Sequence, residues 1–216
     1  MVVLQSWLKI CPKSLSNTQI VAISDLHETN ISKSLSIIDN LKTSNSHINP
    51  KTYSGNKDKW RIMLKETDAD IVIISTDWDT HGIMAIESMK NNMHAFVEVP
   101  LATTIKDLWE IVNTSEKYQK HCMMMENVNY GREELMFLNI CRKGLLGELY
   151  HSEAAYIHDL RWQMYEEEIG TGSWRTLQYE KKKGNLYPTH GLGPVSQYMN
   201  LLRSEDTFKT LVSFSS

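Results

Sequence analysis

The second half of the sequence brings together side chains that can hold a hydroxylated compound and move a proton. Tyrosine, histidine and arginine recur there with an acid and an indole, at Tyr156, His158, Asp159, Arg161, Trp174, Arg175, Tyr187 and His190. Histidine titrates near neutral pH, tyrosine can relay a proton, and arginine can anchor an oxygen atom. The set therefore indicates proton-transfer chemistry on a polyhydroxy substrate. Plainer interpretations stay open, since His158 beside Asp159 can be a surface pair and His190 a turn residue.

Two further groups follow apolar runs in the first half of the sequence. Trp78 and His81 come after Ile71-Val72-Ile73-Ile74, and Glu98-Val99-Pro100 comes after Ala95-Phe96-Val97. An indole can flank a ring of a nucleotide, and an imidazole can reach a phosphate or ribose oxygen. The alternatives are a packed tryptophan at the start of a helix and a loop carboxylate in water. A proline directly after a strand fixes the turn, and its peptide bond can be cis.

An acidic residue closes an earlier apolar run. Residues 18–25 predict a buried strand that ends at Asp25. In dinucleotide-binding folds, an acid at this place accepts hydrogen bonds from the adenosine ribose. The alternative is that Asp25 caps a helix that begins near Asn30. The glycine fingerprint that normally precedes such a strand is not seen, because the first glycine of the sequence is Gly55.

The stretch from Asp70 to Pro100 must position two of these groups. A β-branched run over 71–74 predicts a strand, and a second apolar strand is predicted over 95–97. Between them, apolar residues recur at helical spacing at Ile83, Ala85, Ile86 and Met89. Such a βαβ unit has a right-handed crossover, and its ligands bind beyond the carboxyl ends of its strands. Both groups lie at that edge of the predicted sheet.

The rest of the sequence predicts further helices and strands, with a change of character near Gly147. Thr103 or Thr104 is predicted to cap a helix that carries Leu108 and Val112. Other helices are predicted over 5–15, 30–41, 60–65, 132–143 and 195–202, strands over 122–125, 149–157 and 208–216, and a loop over 43–56. Residues 149–157 alternate loosely between apolar and polar, which is typical of an antiparallel strand with one exposed face.

Bulk composition excludes several classes of protein. The formal net charge of the 216 residues is -3, and Lys181-Lys182-Lys183 reads as a solvated loop, so we expect no nucleic acid partner. No apolar run approaches the roughly 20 residues of a membrane span, and no secretory signal is seen, so we expect no membrane partner and, by default, a cytoplasmic location. The three cysteines predict neither a disulfide framework nor a metal site.

The motifs taken in order resemble the Gfo/Idh/MocA oxidoreductase superfamily. They are 70–76, Trp78-x-x-His81, Glu98-Val99-Pro100, 124–128, 147–149, 158–161, 174–176 and 184–191. More narrowly, the chain is similar to glycoside hydrolase family 109, the NAD-dependent α-N-acetylgalactosaminidases. Superfamily members usually have Glu-Lys-Pro where this chain has Glu98-Val99-Pro100. The loss of that lysine, together with Tyr187-Pro188-Thr189-His190, favours the hydrolase branch over a plain sugar dehydrogenase.

The resemblance implies an α/β fold class in two domains. Residues 1–146 would form an incomplete NAD-binding Rossmann domain, with a parallel sheet that lacks the first strand and its glycine-rich loop. Residues 147–216 would form a partial α+β substrate domain with an antiparallel sheet. Because family members start earlier and continue further, the resemblance implies a chain truncated at both ends. We therefore expect weak NAD binding or none, export is not excluded, and the exposed sheet edge invites self-association as a homo-oligomer.

The resemblance also implies a reaction and its residues. NAD would take hydride from C3 of the sugar, the proton at C2 and the C1 substituent would leave, water would add, and hydride would return. The family's NAD contacts map onto Asp25, Trp78, His81, Glu98, Val99 and Asn127. Its sugar-binding positions map onto Tyr156, Arg175, Tyr187 and His190, with His190 and Tyr187 as the proton-transfer residues. The alternatives are an inactive remnant that serves at most as an interaction piece, and a plain NAD-linked sugar oxidoreductase.

Overall fold

The computed structural model describes residues 18–41, 49–161, 173–203 and 206–214. The chain divides into two compact units, Met1–Met123 and Met124–Ser216, which we call unit 1 and unit 2. The helix predicted over 5–15 lies outside the described residues. The predicted domain boundary at residue 147 stays a prediction.

Unit 1 is built of helices alternating with short parallel strands. The strands are β1 (Ala22–Ser24), β2 (Lys51–Tyr53), β3 (Ile71–Ile74), β4 (His94–Val97) and β5 (Cys122–Met124), and the helices are α1 (Glu28–Leu41), α2 (Lys59–Glu66), α3 (Trp78–Lys90) and α4 (Ile105–Tyr118). β1 pairs in parallel with β2, and β3 lies beside β4 in the order β3-β4-β5. Within the described residues these are two separate sheets.

The predicted βαβ unit is confirmed. β3 and β4 run parallel, with Ile71 opposite His94 and Ile74 opposite Val97. α3 connects them, and Asp77 caps it by accepting a hydrogen bond from the backbone N–H of Asp79. The carboxyl ends of both strands therefore open at the same edge of the sheet.

An apolar core holds the βαβ unit together. Its fully buried members come from the strands β3 and β4 and the helices α3 and α4, and they are Ile74, Ala85, Ile86, Met89, Ala95, Val97 and Ile111. Burying one such large side chain contributes about 1.5–3 kcal/mol. Gly82 permits the close approach of α3 and α4, because a Cβ atom there would lie 3.2 Å from the Cβ of Asp107. This packing fixes where both strands end.

The prediction of a loop over 43–56 is wrong in part. Lys51–Tyr53 forms β2 and bonds to β1, so that the backbone N–H of Lys51 donates to the carbonyl of Val21. Two of the three β2 residues are exposed, so this strand lacks the apolar run from which a strand is predicted. Pairing with β1, rather than burial of side chains, selects this strand.

Unit 2 is helical among its described residues. It contains a 3₁₀ turn (Asn127–Tyr130) and the helices α5 (Arg132–Arg142), α6 (Ser173–Lys181) and α7 (Pro188–Tyr198). α7 begins earlier than predicted because Pro188 is well suited to the first helical turn. No strand is formed over 149–157 or over the described residues 206–214, so the antiparallel sheet is not confirmed. Across the described parts of the chain, none of the helices combines the length and apolar character that a bilayer crossing requires.

Candidate functional site

A buried carboxylate–imidazole pair is the centre of the polar cluster in unit 2. Nδ1 of His190 lies 2.6 Å from Oε1 of Glu126, and the two side chains are 11% and 2% exposed. An ionised carboxylate only accepts hydrogen bonds, so Nδ1 carries the hydrogen and donates it. Nε2 of His190 is then the acceptor of the ring, which is the form that a general base requires.

Two tyrosines pack against this histidine. The ring of Tyr187 stacks on the ring of His190 with 5.4 Å between centroids and 10° between planes. The ring of Tyr156 lies 4.9 Å from both the Tyr187 and the His190 rings. Two phenol hydroxyls and one imidazole thus meet in one small region of unit 2.

Arginine completes the cluster. Nε of Arg175 donates a hydrogen bond of 3.2 Å to the hydroxyl oxygen of Tyr187. Burial raises the pKa of Tyr156, and the neighbouring Tyr187 raises it further, while the positive charge of Arg175 opposes the rise. Tyr156 therefore remains a protonated phenol over the ordinary pH range, able to donate a hydrogen bond. The four residues predicted to bind sugar, Tyr156, Arg175, Tyr187 and His190, are all brought together.

Close backbone approach depends on glycine at α7. A Cβ atom on Gly191 would lie 2.9 Å from the Cβ of Ala154, a distance that real side chains do not adopt. Since Ala154 precedes Tyr156 by two residues, the absence of a side chain at Gly191 lets the segment that carries Tyr156 reach the α7 helix. On Gly193, a Cβ atom would lie 2.8 Å from Oδ1 of Asn129.

Other members of the chemical set lie differently. The hydroxyl of Tyr156 is 2.8 Å from Nδ1 of His158, which links His158 to the edge of the cluster. Asp159 and Arg161 form a hydrogen-bonded ion pair with each other, with side chains 59% and 80% exposed. That pair is the surface arrangement which the sequence left open, and pairs so exposed contribute little to stability.

In unit 1, Asp25 stands at the carboxyl end of β1 as predicted. Its Oδ1 accepts hydrogen bonds from the backbone N–H of His27 at 2.8 Å and from Nδ2 of Asn30 at 3.0 Å. Asp25 thus organises the start of α1, which is the alternative that the sequence left open. It also lines a cavity of about 180 Å³ between β1 and β3, together with Asn56, Lys57 and Asp77. The carboxylate is therefore placed for both roles, and its contact with a cofactor stays a prediction.

Trp78 and His81 are both buried in the first turns of α3, at 3% and 1% exposure. Nδ1 of His81 lies 2.7 Å from the carbonyl oxygen of Pro100, and Nε2 lies 3.1 Å from that of Thr76. Burial lowers the pKa of His81, although both carbonyls and the carboxylate of Asp77 favour the charged ring. A direct contact of Trp78 or His81 with a cofactor stays a prediction.

Glu98 and Val99 follow β4 at the same edge. The peptide bond between Val99 and Pro100 is cis, as the sequence allowed. The backbone N–H of Glu98 donates to the carbonyl of Ile74, which extends the β3–β4 ladder by one bond. Asn127 is exposed in unit 2, at the start of the 3₁₀ turn. Cofactor contacts of Glu98, Val99 and Asn127 stay predictions.

Sequence reasoning did not single out Glu126 as a site residue. Its Oε1 also accepts a hydrogen bond from the backbone N–H of Val128, and within the described residues its buried Oε2 has no hydrogen-bond partner. A buried carboxylate oxygen without a partner is costly, which indicates a place for a ligand donor or water. The only signal in the sequence is an acid directly after an apolar strand. Within the described residues no cluster of three histidine, cysteine or acidic side chains could hold a metal ion.

Comparison with protein families matches both parts of the chain. Residues 5–126 match the oxidoreductase family with the NAD-binding Rossmann fold. Residues 130–216 match the C-terminal domain of glycosyl hydrolase 109. The first match alone covers more than half of the chain.

Curated relatives carry the same family name. A glycosyl hydrolase family 109 protein of Shewanella putrefaciens is 55% identical over 202 residues, which are 94% of this chain and 43% of that protein. A Shewanella oneidensis protein named alpha-N-acetylgalactosaminidase is 54% identical over 202 residues, with the same coverage. The chain thus spans less than half the length of the curated relatives it matches.

Solved structures share the fold. An oxidoreductase domain protein from Kribbella flavida superposes with a TM-score of 0.62 at 13% identity, over 91% of this chain and 50% of that one. The WlbA dehydrogenase from Chromobacterium violaceum, solved with NADH and UDP-GlcNAcA, superposes with a TM-score of 0.57 at 20% identity, over 69% of this chain and 39% of that one. These likenesses confirm the predicted Rossmann-type α/β fold class.

Proposed function

Because this chain belongs to the Gfo/Idh/MocA oxidoreductase family and to its glycosyl hydrolase 109 branch, we propose that the protein is an NAD-dependent glycosidase acting on α-N-acetylgalactosaminides. One observation carries the proposal. Tyr156, Arg175, Tyr187 and His190 converge around a buried Glu126–His190 pair. In this cluster a sugar with several hydroxyl groups would contact an imidazole base, two phenols and the guanidinium group of Arg175.

The polar residues that follow β1 and β2 fit part of a dinucleotide. Asp25, Asn56 and Lys57 line the cavity of about 180 Å³ and offer acceptors and donors to a ribose and a phosphate. This volume is below the range of about 300–1,000 Å³ typical of whole-ligand pockets, so it suits one ring rather than the entire cofactor. Both hydrogen bonds that Asp25 accepts from His27 and Asn30 end on Oδ1. In the proposal, Oδ2 is the oxygen that accepts from the ribose hydroxyls.

The proposed reaction proceeds by transient oxidation of the sugar. When bound, the nicotinamide group supplies a hydride acceptor at C3 and later the matching donor, so that no net oxidation results. The C3 ketone makes the proton at C2 acidic, its removal expels the C1 substituent, and water adds to the resulting double bond. This route needs no pair of carboxylates flanking the glycosidic bond, unlike that of ordinary glycosidases.

The residues of unit 2 supply the proton transfers. His190, with Nδ1 donating to Glu126, offers Nε2 as the base. Tyr187 offers its hydroxyl as the second proton-transfer group, and the bond from Arg175 holds that oxygen in place. Tyr156, a phenol held in its protonated form, is suited to donate to a substrate oxygen. Glu126, by accepting from Nδ1, holds the imidazole in one tautomer.

The test is an assay of the full chain with NAD and an aryl α-N-acetylgalactosaminide. Release of the aryl group without accumulation of NADH supports the proposal. Formation of NADH in proportion to substrate would instead identify a sugar oxidoreductase, which the dehydrogenase neighbours make the second candidate. Absence of both products, with no thermal shift on adding NAD, would identify an inactive chain. Oligomeric state and cellular location stay predictions.

A further inference from the structure

A single buried imidazole joins the two loops that follow β3 and β4. Thr76 lies two residues beyond the end of β3, and Pro100 lies three residues beyond the end of β4. The His81 ring lies between their carbonyl oxygens, 3.1 Å from one and 2.7 Å from the other. Both carbonyls are acceptors, so the neutral ring donates its single N–H to one of them and lies in contact with the other, whereas a charged ring donates to both.

Helix α3 gives this imidazole a fixed base. His81 lies in the first turn and a half of α3, whose start is held by the Asp77 cap and by a bond of 2.9 Å from the Thr80 hydroxyl to the carbonyl of Asp77. Gly82 beside it packs against α4. The ring is 1% exposed, so water does not compete for its contacts with the two carbonyls.

We propose that His81 is a positioning residue, which ties the Thr76 loop to the Pro100 loop and so sets the spacing of Asp77 and Glu98 at the carboxyl edge of the sheet. The inference rests on the proposed function, because that edge is where we place the cofactor. This role differs from the predicted direct contact of His81 with NAD, because both ring nitrogens already face backbone carbonyls. A ligand there would meet the loops that His81 holds.

Amide hydrogen exchange of the full chain tests the tie without any cofactor. The backbone N–H of Glu98 donates to Ile74 and that of Thr80 to Asp77, so both amides report on the loops. The N–H of His94 donates to Asp70 at the opposite end of β4 and serves as the internal control. For His81→Phe, which keeps a ring but loses the nitrogens that face the two carbonyls, we expect exchange at Glu98 and Thr80 to accelerate about tenfold or more, with His94 nearly unchanged.

Two further variants sharpen the test. His81→Gln can still reach one carbonyl and should accelerate exchange less, and it replaces His81→Phe if that variant does not fold. Ser34→Ala removes a buried hydroxyl whose bond stays within α1, and should leave all three amides unchanged. Equal exchange in wild type and both His81 variants would overturn the proposal, as would equal acceleration at His94, which would mean general destabilisation.

Titration with NAD separates this inference from the proposed function. If wild type binds NAD, we expect the dissociation constant to rise about tenfold in His81→Phe and to stay constant in Ser34→Ala. An unchanged dissociation constant in His81→Phe would overturn the link to the cofactor. If wild type does not bind NAD at all, the cofactor part of the proposed function fails, while hydrogen exchange still decides whether His81 ties the loops.

Discussion

Glu126 and His190, 64 residues apart in the chain, lie with Oε1 and Nδ1 only 2.6 Å from each other. Glu126 stands just after β5, and His190 stands in the first turn of α7. The pair fixes which nitrogen of the ring carries the hydrogen, and it does so in a place where water is nearly excluded. The direction of every proton transfer proposed for His190 depends on this contact.

Replacing Glu126 should therefore weaken His190 as a base. For Glu126→Ala we expect kcat to fall by about 10²-fold or more, since a positioned base contributes about 10²–10⁴. The imidazole ¹⁵N signals of His190 should change from the Nδ1–H tautomer to a mixture, which can be measured without turnover. Glu133→Ala, at an exposed acid in the first turn of α5, is the control. An unchanged tautomer in Glu126→Ala would contradict the assignment.

Tyr187→Phe removes only the hydroxyl that accepts from Arg175 and keeps the ring stacked on His190. We expect a fall in kcat of about 10²-fold with a much smaller change in KM, because the lost group acts in proton transfer rather than in packing. Steady-state kinetics with an aryl α-N-acetylgalactosaminide measures both constants. Tyr150→Phe, at a fully exposed position, should leave both unchanged. A change confined to KM would assign Tyr187 to binding alone.

Stability should depend on pH through His81. Burial lowers the pKa of His81 below its ordinary value of 6.5, so the unfolded chain binds this proton more readily than the folded one. The stability that the neutral ring contributes is complete above pH 6.5 and declines as pH falls through the lower pKa of the folded state. Urea unfolding at a series of pH values should show a steeper acid loss for wild type than for His81→Gln. Parallel plots of unfolding free energy against pH for wild type and His81→Gln would contradict this prediction. His151→Gln, which replaces an exposed histidine, is the control.

Gly191→Ala should disturb the site although alanine favours helices. The new methyl group would lie 2.9 Å from the Cβ of Ala154, so the segment that carries Tyr156 must move away. We expect a loss of stability of about 1–3 kcal/mol from overpacking, and a rise in KM because Tyr156 leaves the cluster. Leu192→Ala, on the exposed side of α7, should leave KM unchanged. A fully active Gly191→Ala variant would show that Tyr156 does not need this approach.

Strong local patterns make the central βαβ unit predictable. The strand, helix and strand between Asp70 and Pro100 are predicted correctly, because β-branched runs and helical spacing of apolar residues both reflect burial in the same core. β2 is not predicted, because Lys51-Thr52-Tyr53 is short and mostly exposed and therefore shows no periodic pattern of apolar residues. A strand is predicted over 149–157 but is not formed there. Loose alternation of apolar and polar residues does not show whether a neighbouring strand is present to pair with.

The sequence indicates the residue types of the candidate site but not the contacts between them. Side-chain chemistry indicates a larger set of residues, from which the family resemblance selects Tyr156, Arg175, Tyr187 and His190, and unit 2 brings these four together. Glu126 was not chosen, because nothing in a linear sequence shows which acid faces a histidine across 64 residues. The double contact of His81 was equally hidden, since its two carbonyl partners carry no side-chain signature at all.

Tyr187 and His190 lie three residues apart at the start of α7, so they share one face of the helix and their rings stack. The start of α7 therefore orients both proton-transfer groups at once. Arg175 and Tyr156 reach the same rings from two other segments, Arg175 through its bond to Tyr187 and Tyr156 through its ring contacts. Divergence in the sugar accepted by related proteins should accordingly accumulate around the Arg175 and Tyr156 segments, while the geometry of the stacked pair is preserved.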